Sequence, residues 1–417
     1  MQTSAQRIAR GRNLNPNASE PTTVTLPARR AFWLMLVALA LVVAGADAAP
    51  LEVRDGVLLR GGRPCRAVGA NYFSLFSRLL KHPGDDSSLT NLAHLARADI
   101  PFVRFMCGGF WPVEQQLYLT NRAEYFARLD RVVRCAESNR LGLIPSLFWH
   151  LPTVSDLVGE PLDQLGNPES KTVAFIREYT AEVVRRYQAS PAIWAWEFGN
   201  EYNLAADLPN AREHRPPVWL NLGTAPARTE RDELKSGQMV TAFIEFGRTI
   251  RRLDAARPII SGNALPRSSA WHNSHEGSWK ADTAAQFSEI LRRDNPDPMN
   301  LLSVHIYREE KGNYGGGAKS IEAIVDLASA VAAKSGKPLF IGEFGAQRQM
   351  GDRAAQEAVF REFLSAIDRH RIPLAAFWVF DLDSQEKDWN VTFHNDRAYQ
   401  IDLVTKFNRQ HAPATGR

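Results

Sequence analysis

Cysteine is scarce: three residues in 417. An odd, sparse set without Cys-x-x-Cys spacing excludes a disulfide framework and a cysteine zinc site. Cys65, Cys107 and Cys135 therefore read as buried thiols, with one disulfide permitted if the chain is exported. No His-Glu-x-x-His order occurs, and His272-Asn-Ser-His275-Glu276 reads as a loop without metal, with a substrate contact as its functional alternative. No Gly-x-Gly-x-x-Gly follows the first apolar strand, so a dinucleotide crevice lacks its marker. Neither a metal nor a cofactor is expected. Glycine (27) and proline (24) are near average usage, which removes collagen-like and disordered classes.

Basic charge looks abundant at first, with a formal net charge of +4. Its placement changes the reading. Residues 1–30 hold Arg7, Arg10, Arg12, Arg29 and Arg30; an uncharged apolar run, Ala31–Ala44, follows, and then Ala46-Asp47-Ala48. A basic start, an apolar middle and a small-x-small end make a secretory signal over residues 1–48. The run falls short of the ~18–20 residues of a spanning helix, so an uncleaved anchor is the lesser alternative. Arg29-Arg30-Ala31-Phe32 also resembles the twin-arginine export pattern. Through Asp47 the segment carries five arginines against Glu20 and Asp47, leaving about +1 for residues 49–417. With no later block of like charge, nucleic acid is not an expected partner. The expectation is an exported protein, periplasmic or secreted, monomeric and free of the membrane once processed.

After residue 49, Asp55-Gly56 between alternating segments predicts a β-hairpin. Eight short apolar runs follow: 66–72, 101–105, 143–149, 193–198, 258–261, 301–306, 338–341 and 374–380. Helix-periodic stretches such as 123–138, 171–187, 237–253, 282–292, 321–333 and 354–370 separate them. Strands buried on both faces and each followed by a helix predict an α/β fold, a single (β/α)8 TIM barrel with enlarged strand-to-helix loops. The longest such loop, Tyr202–Lys235, is a candidate active-site wall.

Barrel chemistry sits at the C-terminal ends of the strands. Polar residues gather there: Arg104, His150, Asn200-Glu201, His305-x-Tyr307 and Glu343, with Trp378 on the last strand. Glu201 and Glu343 belong to strands four and seven, across the ring from each other, so their carboxyls can converge on one bound group. Glycoside cleavage needs such a pair, one protonated and one ionised. Arg104, His150, Asn200, His305 and Tyr307 would tune the pair and hold substrate, and Trp378 would offer a sugar ring an apolar face.

In these residues the chain resembles family 5 glycoside hydrolases, retaining (β/α)8 enzymes with catalytic glutamates on strands four and seven. The resemblance covers about residues 50–410. It implies that Glu201 is acid/base, that Asn200 holds the sugar 2-hydroxyl and that Glu343 in Ile-Gly-Glu-Phe-Gly is the nucleophile. Arg104, His150, His305 and Tyr307 match the family's residues on strands two, three and six, and Trp378 matches the tryptophan under the cleaved sugar. Trp196-Glu-Phe-Gly-Asn-Glu201 is similar to the Trp-Glu-Leu-x-Asn-Glu stretch of β-1,4-mannanases, although Tyr202-Asn203 replaces the proline common after the acid/base.

The expected activity is retaining hydrolysis of a β-linked polysaccharide or oligosaccharide, a β-1,4-mannan first and a β-glucan or β-glucoside second. A catalytically silent carbohydrate-binding barrel is the alternative of another class. Two points stay open on sequence grounds. Glu197 is either a buried carboxylate near Arg104 or a helix-packing residue. Trp219, Trp271, Trp279 and Trp389 are either outer sugar subsites or ordinary packing.

Overall fold

Which side chains line a barrel follows from the two-residue period of β structure. In the computed structural model, which describes residues 50–308 and 314–412, eight parallel strands make one sheet. The expected export segment, residues 1–48, lies outside the described residues. A hairpin precedes the barrel: β1 (Leu51–Arg54) pairs antiparallel with β2 (Val57–Arg60), and β3 (Arg63–Pro64) pairs with β2. Asp55 and Gly56 both take positive φ, 52° and 74°, as the tight turn requires.

The barrel strands are β4 (Ala67–Asn71), β5 (Phe102–Met106), β6 (Gly142–Phe148), β7 (Trp196–Gly199), β8 (Ile259–Ile260), β9 (Leu302–Ile306), β10 (Leu339–Phe344) and β11 (Leu374–Phe377). They run β8-β7-β6-β5-β4-β11-β10-β9 around the ring. Closure between β8 and β9 is made by Asn300, whose backbone N donates to Ile259 O at 3.1 Å and whose side-chain oxygen accepts from Ile259 N at 2.8 Å. The fold is a single (β/α)8 barrel.

Inward positions in the lower half are apolar: Ala67, Phe102, Ile144, Trp194, Ile260, Leu301, Phe340 and Leu374 form one buried cluster, joined from below by Leu51 and Leu58 of the hairpin. Outward positions such as Val103, Phe105, Phe198 and Val304 pack instead on the helices. The fourth strand starts later than the apolar run 193–198, because Trp194 turns in to fill the barrel floor. A Cβ at Gly142 would fall 2.3 Å from that indole, so the position opposite has to be glycine.

Helices cap where their sequence allows: Ser170 accepts from Val173 N and Asp352 from Ala355 N. The stretch expected as a loop around His272 is instead a short helix, Ala270–Glu276. The Asp282 carboxylate accepts from the backbone N of Trp271 (2.8 Å) and of His272 (3.2 Å), satisfying the first turn from outside it. All three cysteines are free thiols, Cys107 buried and the other two half-buried. Among the described residues no helix is long and apolar enough to cross a membrane.

Candidate active site

The inward positions change character at the top of the barrel. Asn71, Arg104, Ser146, Glu197, His305 and Glu343 are buried where the lower half is apolar. Strand parity alone would turn Glu343 outward, since Phe340 faces in. A bulge between Ile341 and Glu343, visible in the pairing of β10 with β9, restores the inward aim. Gly342 occupies the bulge, and a Cβ there would lie 2.7 Å from His305 Nε2.

Arg104 is the hub of this layer. Its Nε donates to Glu197 Oε1 and Oε2 (2.7 and 2.9 Å), and Nη1 to Asn71 Oδ1 (2.9 Å) and Glu343 Oε1 (2.8 Å). Nη2 donates to Asn200 Oδ1 (2.9 Å) and Gly199 O (3.4 Å). All five N–H donors are thus used. Because Asn200 accepts through Oδ1, its amide NH2 is free to donate elsewhere. Burial works against the Arg104 charge, but Glu197 and Glu343 outweigh it and hold the guanidinium ionised. The ring of Trp149 lies 4.3 Å from the guanidinium carbon, a cation–π contact.

Glu343 keeps 5 % of its side chain exposed and has both oxygens engaged, Oε1 by Arg104 and Oε2 by Tyr307 Oη at 2.6 Å. Glu201 keeps 29 % exposed and meets His305 Nδ1 at 2.9 Å. One carboxylate oxygen from each glutamate lies with a His305 nitrogen in a group no wider than 4.8 Å. This is the one such cluster among the described residues that a metal ion could use, yet the cation beside it is Arg104, already bonded to Glu343 Oε1. Burial raises the Glu201 pKa, against the pull of Arg104. Burial also lowers His305 to about 3, so the ring is neutral, and Nδ1 is the nitrogen that faces its acidic partners Glu201 and Glu343. Two carboxyls with oxygens this close, one raised in pKa by burial and the other bonded to a cation, can both reach one bound sugar carbon.

Comparison with known proteins agrees with this chemistry. The model of the cellulase family, glycosyl hydrolase family 5, matches residues 81–382. The chain belongs to glycoside hydrolase family 5. It is therefore a glycosyl hydrolase, in a family that acts on polysaccharides and oligosaccharides. No curated protein matches the sequence significantly. Among solved structures, an endo-1,4-β-mannanase from Rhizomucor miehei is similar at 15% identity and a TM-score of 0.62, over 87% of this chain and 99% of that one. A family 5 mannosidase from the same organism is similar at 13% identity and 0.60, over 87% and 98%. A β-glucanase from Saccharophagus degradans, solved with cellotetraose, is similar at 14% identity and 0.52, over 88% and 96%.

In this family 5 hydrolase the structure gathers Arg104, Asn200, Glu201, His305, Tyr307 and Glu343 into one network. His150 stands apart from it. Its ring stacks on Phe110 (4.1 Å, 11°), and Nδ1 faces Phe110 O (3.1 Å) and Thr153 Oγ1 (3.2 Å). Burial lowers its pKa to about 4, so it too is neutral. Trp378 is half-buried, with Nε1 donating to Gln385 Oε1 at 2.8 Å and its ring stacked 6.1 Å from Trp149.

The open reading of Glu197 resolves to the carboxylate beside Arg104. His272 resolves to a structural residue, its Nδ1 2.7 Å from Asp282. Sequence reasoning missed Asn71, whose amide donates to Gly342 O (2.8 Å) while its oxygen serves Arg104. Its position at the end of the first strand was the available signal. Tyr202-Asn203, the departure after Glu201, also has a local cause. Tyr202 Oη donates to Phe148 O (2.8 Å) and Asn203 Nδ2 to Ala264 O (2.9 Å), holding the turn in which Glu201 itself adopts φ +55°.

Proposed function

We propose that the protein is a retaining β-glycosidase in which Glu343 is the nucleophile and Glu201 the acid/base, acting first on β-1,4-linked mannan. The observation that carries this reading is the carboxyl pair itself, with oxygens no more than 4.8 Å apart and opposite electrostatic settings. Glu343 attacks the anomeric carbon as the glycosidic C–O bond breaks, and the departing oxygen takes the Glu201 proton. In the second half Glu201 takes a proton from water, whose oxygen bonds to the anomeric carbon and displaces Glu343. Arg104 and Tyr307 orient the attacking carboxylate. The Asn200 amide NH2 is available to a sugar hydroxyl, and Trp378 and Trp149 line the adjoining apolar side.

Replacing Glu343 with Ala is expected to cut turnover by several orders of magnitude, with partial rescue by added azide and an inverted glycosyl azide as product. Near-normal activity in that variant would overturn the assignment. Support for mannan comes from the Trp196–Glu201 motif and from a mannanase and a mannosidase among the similar folds; the β-glucanase neighbour keeps β-glucan as the second reading. Product profiles on mannan, glucomannan, cellulose and mixed-linkage glucan separate the two. Residues 1–48 are proposed to direct export, and the N-terminus of the protein recovered outside the cytoplasm tests it.

A further inference from the structure

A row of aromatic rings starts beside Arg104, where Trp149 lies 4.3 Å from the guanidinium, and ends on the long loop after β7. Trp378 stacks on Trp149, Phe73 touches both at 6.4 and 5.3 Å, and Phe110 follows at 6.0 Å from Phe73. Trp111 lies 5.1 Å from Phe110, and Trp219 lies 6.4 Å from Trp111 at an interplanar angle of 35°. The row opens to solvent at its outer end: Trp149 is buried, Trp378, Phe73, Phe110 and Trp111 are half-buried, and Trp219 is 52 % exposed. Val218, Leu220 and Val113 are exposed around it, and an open apolar patch of this kind, unlike a lone indole, marks a binding surface.

The loop that presents Trp219 is fastened rather than loose. Arg228 and Asp156 form a buried two-point ion pair (2.6 and 2.7 Å), and Arg228 also donates to Pro216 O (3.2 Å) and Pro217 O (3.3 Å), just before Trp219. Trp219 N donates to Thr224 Oγ1 at 2.7 Å. Gly223, at φ +82°, sits so close to the segment carrying Trp111 that a Cβ would come within 3.1 Å of Pro112. The backbone that carries the ring is therefore fixed before any ligand arrives, which removes part of the ordering cost from binding. The other indoles differ, Trp271 and Trp389 being half-buried and Trp279 exposed. Trp271 stacks on His275, Trp389 packs on Tyr307, and Trp279 joins no ring of this row.

We propose that Trp111 and Trp219 form a distal platform that stacks a pyranose ring of the same glycan chain whose scissile bond lies at Glu201 and Glu343. This rests on the catalytic reading above. A pyranose suits the site because its flat C–H face covers an indole while its rim hydroxyls stay in water. A protein partner would need a contact of roughly 1,000 Å2 or more, whereas a stacked pyranose needs only the indole face and its rim.

The test compares kcat/KM on a hexasaccharide, manno- or cello-, with kcat/KM on an aryl β-glycoside of the same sugar. In Trp219→Ala the ratio of the two is expected to fall roughly tenfold, the size of one lost stacking contact. Trp219→Tyr is expected to keep most of the ratio. An unchanged ratio in the Ala variant, or an equal fall in the Tyr variant, overturns the platform while leaving the catalytic reading intact. If the wild type cleaves no glycan, the catalytic reading falls instead. Hexasaccharide titration by tryptophan fluorescence then decides the platform: weaker binding by Trp219→Ala supports it and equal binding overturns it. A wild-type dimer that Trp219→Ala dissolves would also overturn it, by assigning the face to a second copy.

Discussion

Arg104 and Glu343 form a 2.8 Å ion pair at the top of the barrel, and the same guanidinium donates to both oxygens of Glu197. One cation thus serves two buried carboxylates. Removing that cation would leave both carboxylates buried without a compensating charge.

The first prediction concerns that shared cation. Arg104→Met is expected to lower unfolding free energy by about 3–5 kcal/mol, as for other broken buried pairs. Arg104→Lys keeps the charge but has three donors on one nitrogen and cannot reach Glu197, Asn71, Glu343 and Asn200 together. It should recover part of the stability and little of the turnover. Urea denaturation and kcat/KM on both variants check this, and a Lys variant equal to wild type would show that the planar fork does not matter.

Glu201 and Asp381 should respond to pH with opposite sign. Burial raises the Glu201 pKa in the folded state, so its contribution is present at low pH and lost as pH rises through the raised value. At pH 7 the ionised form is a cost that Gln does not carry. Glu201→Gln is expected to raise Tm at pH 7, with the gain vanishing below the ordinary glutamate range of about 4. It should also lose most activity on substrates with poor leaving groups. A Tm equal to or below wild type at pH 7 would contradict the linkage.

Asp381 is the reverse case. It accepts from Tyr72 Oη (2.6 Å), Arg78 Nη1 (2.8 Å) and Asn91 Nδ2 (3.0 Å), three residues outside β11 that anchor the segment after Trp378. Burial pushes its pKa up, but those bonds outweigh burial and hold it below the usual aspartate range. Its stabilisation is therefore present above the unfolded pKa and lost as pH falls through the lowered one. Asp381→Asn is expected to cost about 1–3 kcal/mol at pH 7. The gap to wild type should close in acid, as a pH series of thermal melts would record.

What the sequence made legible follows the same physics. Strand count and the polar strand ends were readable because parallel strands are apolar on both faces until they reach the cleft. Glu197 was undecided because an alternating strand reads the same from either face, and only the Arg104 bonds distinguish them. Asn71 gave little signal, since its role depends on Gly342, 271 residues away, and on Arg104. The helix at Ala270–Glu276 was missed because its capping group, Asp282, lies after the helix instead of before it. His150 was placed with the catalytic network by its strand position, but its neighbours Phe110 and Thr153 draw it into the aromatic row.

Gly342 offers the sharpest test of how β10 builds the site. It occupies the bulge that turns Glu343 inward, and a methyl there would meet His305 Nε2 at 2.7 Å and Cδ2 at 2.9 Å. The imidazole has little freedom to retreat, because Nδ1 is engaged by Glu201 at 2.9 Å and the ring is buried. Gly342→Ala is expected to cost about 1–3 kcal/mol through overpacking and to lower kcat by displacing His305 from Glu201. A double-mutant cycle separates this contact from backbone effects. If the clash is with the ring, Gly342→Ala added to His305→Ala should cost much less than it does in the wild type, since the space is then empty. Equal costs in both backgrounds would instead locate the need for glycine in the bulge backbone, and His305 would lose its claim to have set the residue at 342.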